Sequence, residues 1–434
     1  MNSRKVVKKI IPKKVFRTIE PYGHLAESVI QQTKNKFPAK DLKVIGVTGT
    51  NGKTTTAFMI HKMLTNAGYK CGLMTTVAYG VGDKLEEQIA HMTTVSPGLL
   101  LKRIKNMRHQ NIDYLVLETT SHALAQYRVW GIKFSVAVMT NLTHEHLDYH
   151  GTFENYRSAK VKLFKLANKN KNGLRLGIVN ADDENSKYFK KAIKNSISYG
   201  IENGDLKASD LNIKSTGTEF NATINDENYK ISCHIPGQFN IYNSLAAVAV
   251  GRSLGLSKTQ IEQGIASLKA VEGRMTKIDE GQPFTVIIDF AHTPDSFEKL
   301  FKDLRPVVKG RLITVFGSAG RRDEAKRPIQ GQLAGQYSDE VVLTEEDDRD
   351  IDGLQILKEI SAGAEQAGKI LDKDLFMVHN RQEAIEFALK RAKKGDTVLL
   401  LGKGHEKTIE RADGEHPWDE IALTKKLLKN LKKF

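Results

Sequence analysis

Between Gly46 and Thr56 the chain reads GVTGTNGKTTT, a glycine-rich run that ends in a lysine and three hydroxyls. These residue types suit a phosphate. Glycines let backbone N–H groups come close, the start of a helix adds partial positive charge, and an ammonium neutralises the outer phosphates. Gly49, Thr50, Asn51, Gly52, Lys53, Thr54 and Thr55 are thus the expected cradle of a nucleotide's phosphates. Lys53 would serve as the mobile cation, and Thr54 would offer a hydroxyl to Mg²⁺. The usual eight-residue spacing is missed by one place, because the leading glycine is Gly46 and not Val47. The apolar run before it and the helical pattern after it supply the strand–loop–helix setting that such a loop needs.

Two further stretches concentrate polar chemistry. LETTSHAL (117–124) places Glu118 at the end of an apolar run, and TNLTHEHLDYHG (140–151) packs His144, Glu145, His146, Asp148 and His150 into seven residues. That mixture of carboxylate and imidazole suits Mg²⁺ or Mn²⁺ beside a nucleotide better than zinc, whose usual ligand spacing is absent. Lys160 follows His146 by 14 residues, on a helical pattern.

These residues must be held by strands and helices. LKVIGV (42–47), YLVLE (114–118), FSVAVMT (134–140) and LRLGIVN (174–180) are continuous apolar runs, the mark of strands buried on both faces. Helical patterns separate them, so a mostly parallel sheet with helices on both faces is expected. Residues 205–235 alternate in polarity and predict an antiparallel excursion. A second βα series begins near residue 273, with strands predicted at 284–290, 311–317, 340–344, 374–379 and 396–402. The expected architecture is therefore α/β: a basic N-terminal segment (1–40), a phosphate-loop central domain (41–271) and a Rossmann-like C-terminal α/β domain (272–434).

Composition narrows the function classes. The 434 residues carry a formal charge of +15, which favours anionic partners. With two cysteines, Cys71 and Cys233, a disulfide scaffold is excluded and a cytoplasmic setting is expected. No apolar run is long enough for a membrane helix. The lysine-rich ends could touch an anionic membrane surface weakly. No base-reading motif follows the N-terminal arm, so nucleic acid is not an expected partner.

GVTGTNGKTTT, TNLTHEHLDYHGT, GQFNIYNSLAA (237–247), VEGRM (271–275), IDFAHTPDS (288–296), FGSAGRRDEAKRP (316–328) and LGKGHE (401–406) occur in this order. Together they resemble the Mur ligases of peptidoglycan synthesis, and among these the tripeptide synthetases that add the third, diamino residue. The resemblance implies an ADP-forming amide ligase using ATP and Mg²⁺. A carboxylate of a UDP-linked muramoyl dipeptide would be phosphorylated and then attacked by the amine of a diamino acid. It implies that Lys53, Glu118, His146 and Lys160 are catalytic. Thr54, Glu118, His146 and a carbamylated Lys160 would be metal ligands. Asn240, Asn243, Arg274, Asp289 and His292 would hold ATP. Thr93, Thr94, Thr120, Ser121, Arg128, Arg322, Arg349, Gly402 and Glu406 would hold the acceptor and the amine.

Two departures accompany the resemblance. The residues before the phosphate-loop strand are fewer than the family's uridine-binding N-terminal domain requires, so that domain is expected to be lacking. Where diaminopimelate-adding members carry Asp-Asn-Pro-Arg, this chain has Glu346, Asp347, Asp348 and Arg349. The retained arginine could grip the distal carboxylate of meso-diaminopimelate in a bidentate pair. The alternatives are L-lysine as the amine, another carboxylate as acceptor, or a nucleotide-binding scaffold without catalysis. A monomer is expected.

Overall fold

A computed structural model describes residues 13–88, 93–214 and 216–431. The lysines at 5, 8 and 9 and the last three residues of the basic C-terminal end lie outside them.

The first sheet has eleven strands. In chain order they are β1 (Lys43–Thr48), β2 (Cys71–Met74), β3 (Ala78–Val81), β4 (Lys84–Glu87), β5 (Tyr114–Glu118), β6 (Phe134–Met139), β7 (Leu176–Asn180), β8 (Asn195–Gly200), β9 (Leu206–Lys214), β10 (Gly217–Ile224) and β11 (Glu227–Cys233). They lie in the order β11-β10-β9-β8-β7-β6-β1-β5-β2-β3-β4. β1 pairs in parallel with β5 on one side and β6 on the other. Crossovers leave β1 in both directions, so a crevice opens beyond its C-terminal end, as in other open α/β sheets. The apolar runs of β1, β5 and β6 are buried because helices cover both faces. The predicted antiparallel excursion is β9–β11, whose two edges pair antiparallel. The hairpin β3–β4 and the short β2 beside it were not anticipated; four residues give too little pattern to separate strand from loop.

The second sheet contains β12 (Thr276–Ile278), β13 (Thr285–Asp289), β14 (Leu312–Phe316), β15 (Glu340–Leu343), β16 (Leu375–Met377) and β17 (Thr397–Leu401), in the order β12-β13-β17-β14-β15-β16. Only β12 runs antiparallel to its neighbour. A two-stranded ribbon, β18 (Thr408–Arg411) and β19 (Gly414–Pro417), follows it. One buried apolar cluster is continuous from Ile45 of the first sheet through Ile241 and Val271 to Phe297 and Leu343 of the second unit. The helix Lys13–Lys34 lies against the first unit, where Gln32 Nε2 donates to the Trp130 carbonyl oxygen at 2.6 Å.

Candidate active site

The phosphate loop leaves β1 and enters the helix Lys53–Asn66 at Gly52, whose φ of 81° is a left-handed conformation suited to glycine. A Cβ there would stand 2.4 Å from Asn243 Oδ1, and one at Gly49 would stand 1.8 Å from Thr140 Oγ1. The loop is fixed from behind. The Asn51 backbone N–H donates to Asn141 Oδ1 at 2.9 Å, and Thr140 Oγ1 donates to the Asn51 carbonyl oxygen at 2.6 Å. The Thr50 hydroxyl lies 3.0 Å from that of Tyr156. Thr56 Oγ1 donates to Asn243 Oδ1 at 3.1 Å, and Asn243 Nδ2 donates to Asn240 Oδ1 at 2.8 Å. The two asparagines thus brace the loop's helix through side-chain contacts.

Glu118 ends β5 inside the crevice, 1% exposed. Its Oε2 accepts from Thr54 Oγ1 at 3.0 Å and from the Thr76 backbone N–H at 3.0 Å. Lys160 is buried on the helix Phe153–Lys169 and donates to the Gly49 carbonyl oxygen at 2.6 Å. Burial, with Lys53 nearby, pushes its ammonium well below the usual lysine range. Lys53 Nζ donates to the Thr50 carbonyl oxygen at 2.7 Å. These four polar side chains come from three elements and meet at the C-terminal ends of β1 and β5.

His146 has a φ of 56°, left-handed and uncommon for a residue with a side chain. Its Nε2 lies 3.5 Å from Glu145 Oε1. The same carboxylate oxygen lies 3.5 Å from His292 Nε2 of the second unit. Burial alone would raise the Glu145 carboxyl, but His146 and His292 hold it well below the usual carboxylate range. Glu145 was only a member of the dense 144–150 cluster in the sequence; its place between two histidines of different units was not legible. His144 stacks on Phe153, and His150 Nε2 lies 3.0 Å from Ser121 Oγ.

The second unit reaches over the loop. Arg274 Nη2 donates to Thr54 Oγ1 at 3.3 Å, and its guanidinium lies 4.7 Å from the Phe290 ring centre. Asp289 Oδ2 accepts from the Met275 backbone N–H at 2.7 Å and Oδ1 from that of Ala291 at 2.8 Å, so it shapes the turn rather than pairing directly. His292 Nδ1 lies 2.8 Å from the Phe290 carbonyl oxygen. Asn51 Nδ2 donates to Asp295 Oδ2 at 2.8 Å, a bond between the loop and the helix Pro294–Leu304 that sequence reading missed.

Beside Glu118, Thr94 Oγ1 donates to its carbonyl oxygen at 3.1 Å, and Thr120 caps the short helix Ser121–Ala125. Arg128 Nη1 donates to the Thr94 carbonyl oxygen at 2.7 Å, and Nη2 bonds Gln126. Thr94, Thr120, Ser121 and Arg128 therefore share one wall of the crevice; Thr93 precedes Thr94 and is half-buried. Farther out, Arg349 Nε donates to Glu410 Oε2 at 2.7 Å and Nη1 donates to the Gly320 carbonyl oxygen. Lys403 Nζ donates to Asp347 Oδ1 at 2.9 Å and to Glu406 Oε2 at 2.6 Å. Gly402 abuts Glu346, whose carboxyl is pushed up by burial and whose Oε2 has no hydrogen-bond partner among the described residues. Arg322 is exposed.

Thr54 and Glu118 form a hard, buried oxygen pair below the loop, which fits Mg²⁺. Among the described residues no group of three His, Cys, Asp or Glu side chains is close enough to hold a metal alone. A divalent ion here would need oxygens from phosphate or water besides these ligands.

Fold and site together define a phosphate-loop protein with a second α/β unit closed over the loop. Family models for the Mur ligase middle domain and for the Mur ligase, glutamate ligase domain match residues 47–251 and 273–404. The chain belongs to the Mur ligase family. It is 40% identical over 413 residues to a UDP-N-acetylmuramoyl-L-alanyl-D-glutamate–2,6-diaminopimelate ligase of Clostridium acetobutylicum, covering 94% of this chain and 83% of the relative. It is 38% identical to a UDP-N-acetylmuramyl-tripeptide synthetase of Roseiflexus sp., over 91% of this chain and 80% of the relative. A solved structure of a UDP-N-acetylmuramoyl-L-alanyl-D-glutamate–2,6-diaminopimelate ligase superposes with a TM-score of 0.64 at 29% identity, covering 95% of this chain and 83% of that one.

Proposed function

We propose that this chain is an ADP-forming ligase that joins meso-diaminopimelate to the D-glutamyl carboxylate of UDP-N-acetylmuramoyl-L-alanyl-D-glutamate, a cytoplasmic step of peptidoglycan precursor synthesis. The observation that carries this reading is the convergence of Lys53, Thr54, Glu118 and Lys160 at the phosphate loop, with Arg274 laid across Thr54. Two anions, a carboxylate and a terminal phosphate, must meet before they react. Fixed cations and dipoles are what lower that barrier. Lys53 leaves the Thr50 carbonyl to neutralise the outer phosphates of ATP, and the loop's N–H groups hold them. Thr54 and Glu118, with His146, would hold Mg²⁺, which draws charge off the phosphates when bound.

Lys160 supports a second element of the reading. Its buried amine, whose pKa burial and the charge of Lys53 push well below the usual lysine range, can take up CO₂ as a carbamate. That converts a cation beside other cations into an oxygen ligand. The acceptor lies along Thr93, Thr94, Thr120, Ser121 and Arg128, so that its carboxylate faces the loop. Phosphorylation gives an acyl phosphate and ADP. The amine then attacks the carbonyl carbon, the amide forms, and inorganic phosphate leaves. Arg349, Gly402 and Glu406 lie where the distal end of the amine would be read.

The test is phosphate release with ATP, Mg²⁺, the UDP-linked dipeptide and each amine in turn. The expected result is release that needs all components and is fastest with meso-diaminopimelate. Release independent of the acceptor, or none with any amine, overturns the reading.

A further inference from the structure

Arg349 and its neighbours carry an inference that rests on the proposed amine site. Arg349 Nε is taken by Glu410 Oε2 at 2.7 Å, and its backbone N–H donates to the Glu410 carbonyl oxygen at 3.0 Å. Nη1 is taken by Gly320, and among the described residues Nη2 has no hydrogen bond. The edge of the guanidinium formed by Nε and Nη2, one of the two that can bind a carboxylate bidentately, is thus half occupied by a carboxylate of the chain itself. Glu410 sits on the β18–β19 ribbon with a side chain 40% exposed, so it can leave without disturbing a packed core.

The surrounding charge adds to this. Four carboxylates, Glu346, Asp347, Glu406 and Glu410, gather here, and the cations bonded to them are Lys403, on Asp347 and Glu406, and Arg349, on Glu410; Lys326, Arg274, Arg321 and Arg381 act on the group from farther off. Lys403 is itself committed to Asp347 and Glu406. The Glu410 backbone N–H donates to Asp347 Oδ1 at 2.8 Å, so the ribbon is tied to the acidic loop through its backbone while its carboxylate serves Arg349.

We propose that Glu410 is a specificity-determining residue that occupies Arg349 in place of the substrate's distal carboxylate, which must displace it. The exchange is carboxylate for carboxylate and no bond is broken. An amine without a distal carboxylate leaves the Glu410–Arg349 pair intact. The pair therefore weakens binding of diaminopimelate and leaves that of lysine nearly unaffected.

The experiment uses the full chain with Glu410→Gln and Glu410→Ala. KM for meso-diaminopimelate and for L-lysine is measured by phosphate release, and diaminopimelate affinity is measured by calorimetry with ADP, Mg²⁺ and acceptor present. Both variants are expected to bind diaminopimelate about threefold to tenfold more tightly, with lysine changed less than twofold and kcat near wild type. A rise in KM for diaminopimelate would mean that Glu410 orients Arg349 for the substrate, and it overturns the proposal. So does unchanged affinity, or diaminopimelate failing to bind both wild type and variants. Phosphate release with another amine in that last case would leave the ligase reading standing.

Discussion

The Lys160 amine donates a 2.6 Å hydrogen bond to the carbonyl oxygen of Gly49, which joins a buried helix side chain to the first glycine of the phosphate cradle. A lysine 111 residues away in sequence thus lies under the loop, where an ammonium would ordinarily be kept out by Lys53. Burying an ammonium is expensive, so this position favours the neutral amine, the form that can react with CO₂.

Lys160→Ala is expected to lose activity by about 10²-fold or more, as for other groups that stabilise developing charge. Short carboxylates such as formate or acetate should restore part of it by occupying the vacated place. Turnover measured with and without them, and under bicarbonate depletion, checks this. A variant that stays active, in a protein indifferent to bicarbonate, removes the carbamate.

Lys53→Ala is expected to lower kcat by at least about 10²–10³-fold, because the outer phosphates lose their mobile cation. The fold should be unaffected, since among the described residues the Lys53 side chain makes one hydrogen bond, to the Thr50 carbonyl oxygen. Circular dichroism and turnover, measured on the same preparation, separate the two effects.

Arg349→Ala is expected to erase the preference for meso-diaminopimelate over L-lysine. Loss of a charge pair of this kind costs about 2–5 kcal/mol, so the ratio of kcat/KM should fall by a factor of about 10². An unchanged ratio would take Arg349 out of amine recognition.

Arg381 and Glu420 form an ion pair with neither side chain exposed, at 2.6 Å. Arg381 also donates to the carbonyl oxygens of Leu401 and Glu345, at 2.8 and 3.1 Å. Arg381→Met would leave a buried carboxylate without its cation and should cost about 3–5 kcal/mol. The change in unfolding free energy, by urea titration, measures it. Pairing it with Glu420→Gln should recover part of the loss.

His61 is buried, with Nε2 3.2 Å from the Cys71 carbonyl oxygen, and burial lowers its pKa from 6.5 to about 4. Below pH 6.5 the unfolded chain takes up a proton that the folded chain refuses. Stability therefore falls as pH drops from 6.5 towards 4, by up to about 3 kcal/mol from this group. His61→Gln should lose less over that window. Urea midpoints at pH 7 and pH 4.5 for both proteins give the comparison.

The phosphate loop was legible because its chemistry is local: glycines, a lysine and a threonine within one turn of chain after an apolar run. Glu118 was legible for a similar reason, since a carboxylate ending a buried strand can face only the crevice. What sequence could not yield are pairs made by the topology. Asn51 meets Asp295 from 244 residues away, and Glu145 links His146 to His292 across the two units. From the sequence Arg349 stands free for a substrate carboxylate, whereas the structure gives it Glu410; nothing in the EEDDR run points to a ribbon 61 residues on. Lys403 of GKGHE carries a local signal, a lysine flanked by two glycines, but its bond to Asp347 is made by the fold alone.

The unbroken apolar cluster from Ile45 to Leu343 bears on how the protein can be cut. A scissors point at 271/272 looks natural from the order of the strands, yet Val271 and Met275 on either side of it are both inside that cluster. Halves expressed separately would each present a greasy scar to solvent and would clump. The intact chain should instead melt in one calorimetric peak, resist limited proteolysis at this junction, and require both halves in one polypeptide for reconstitution.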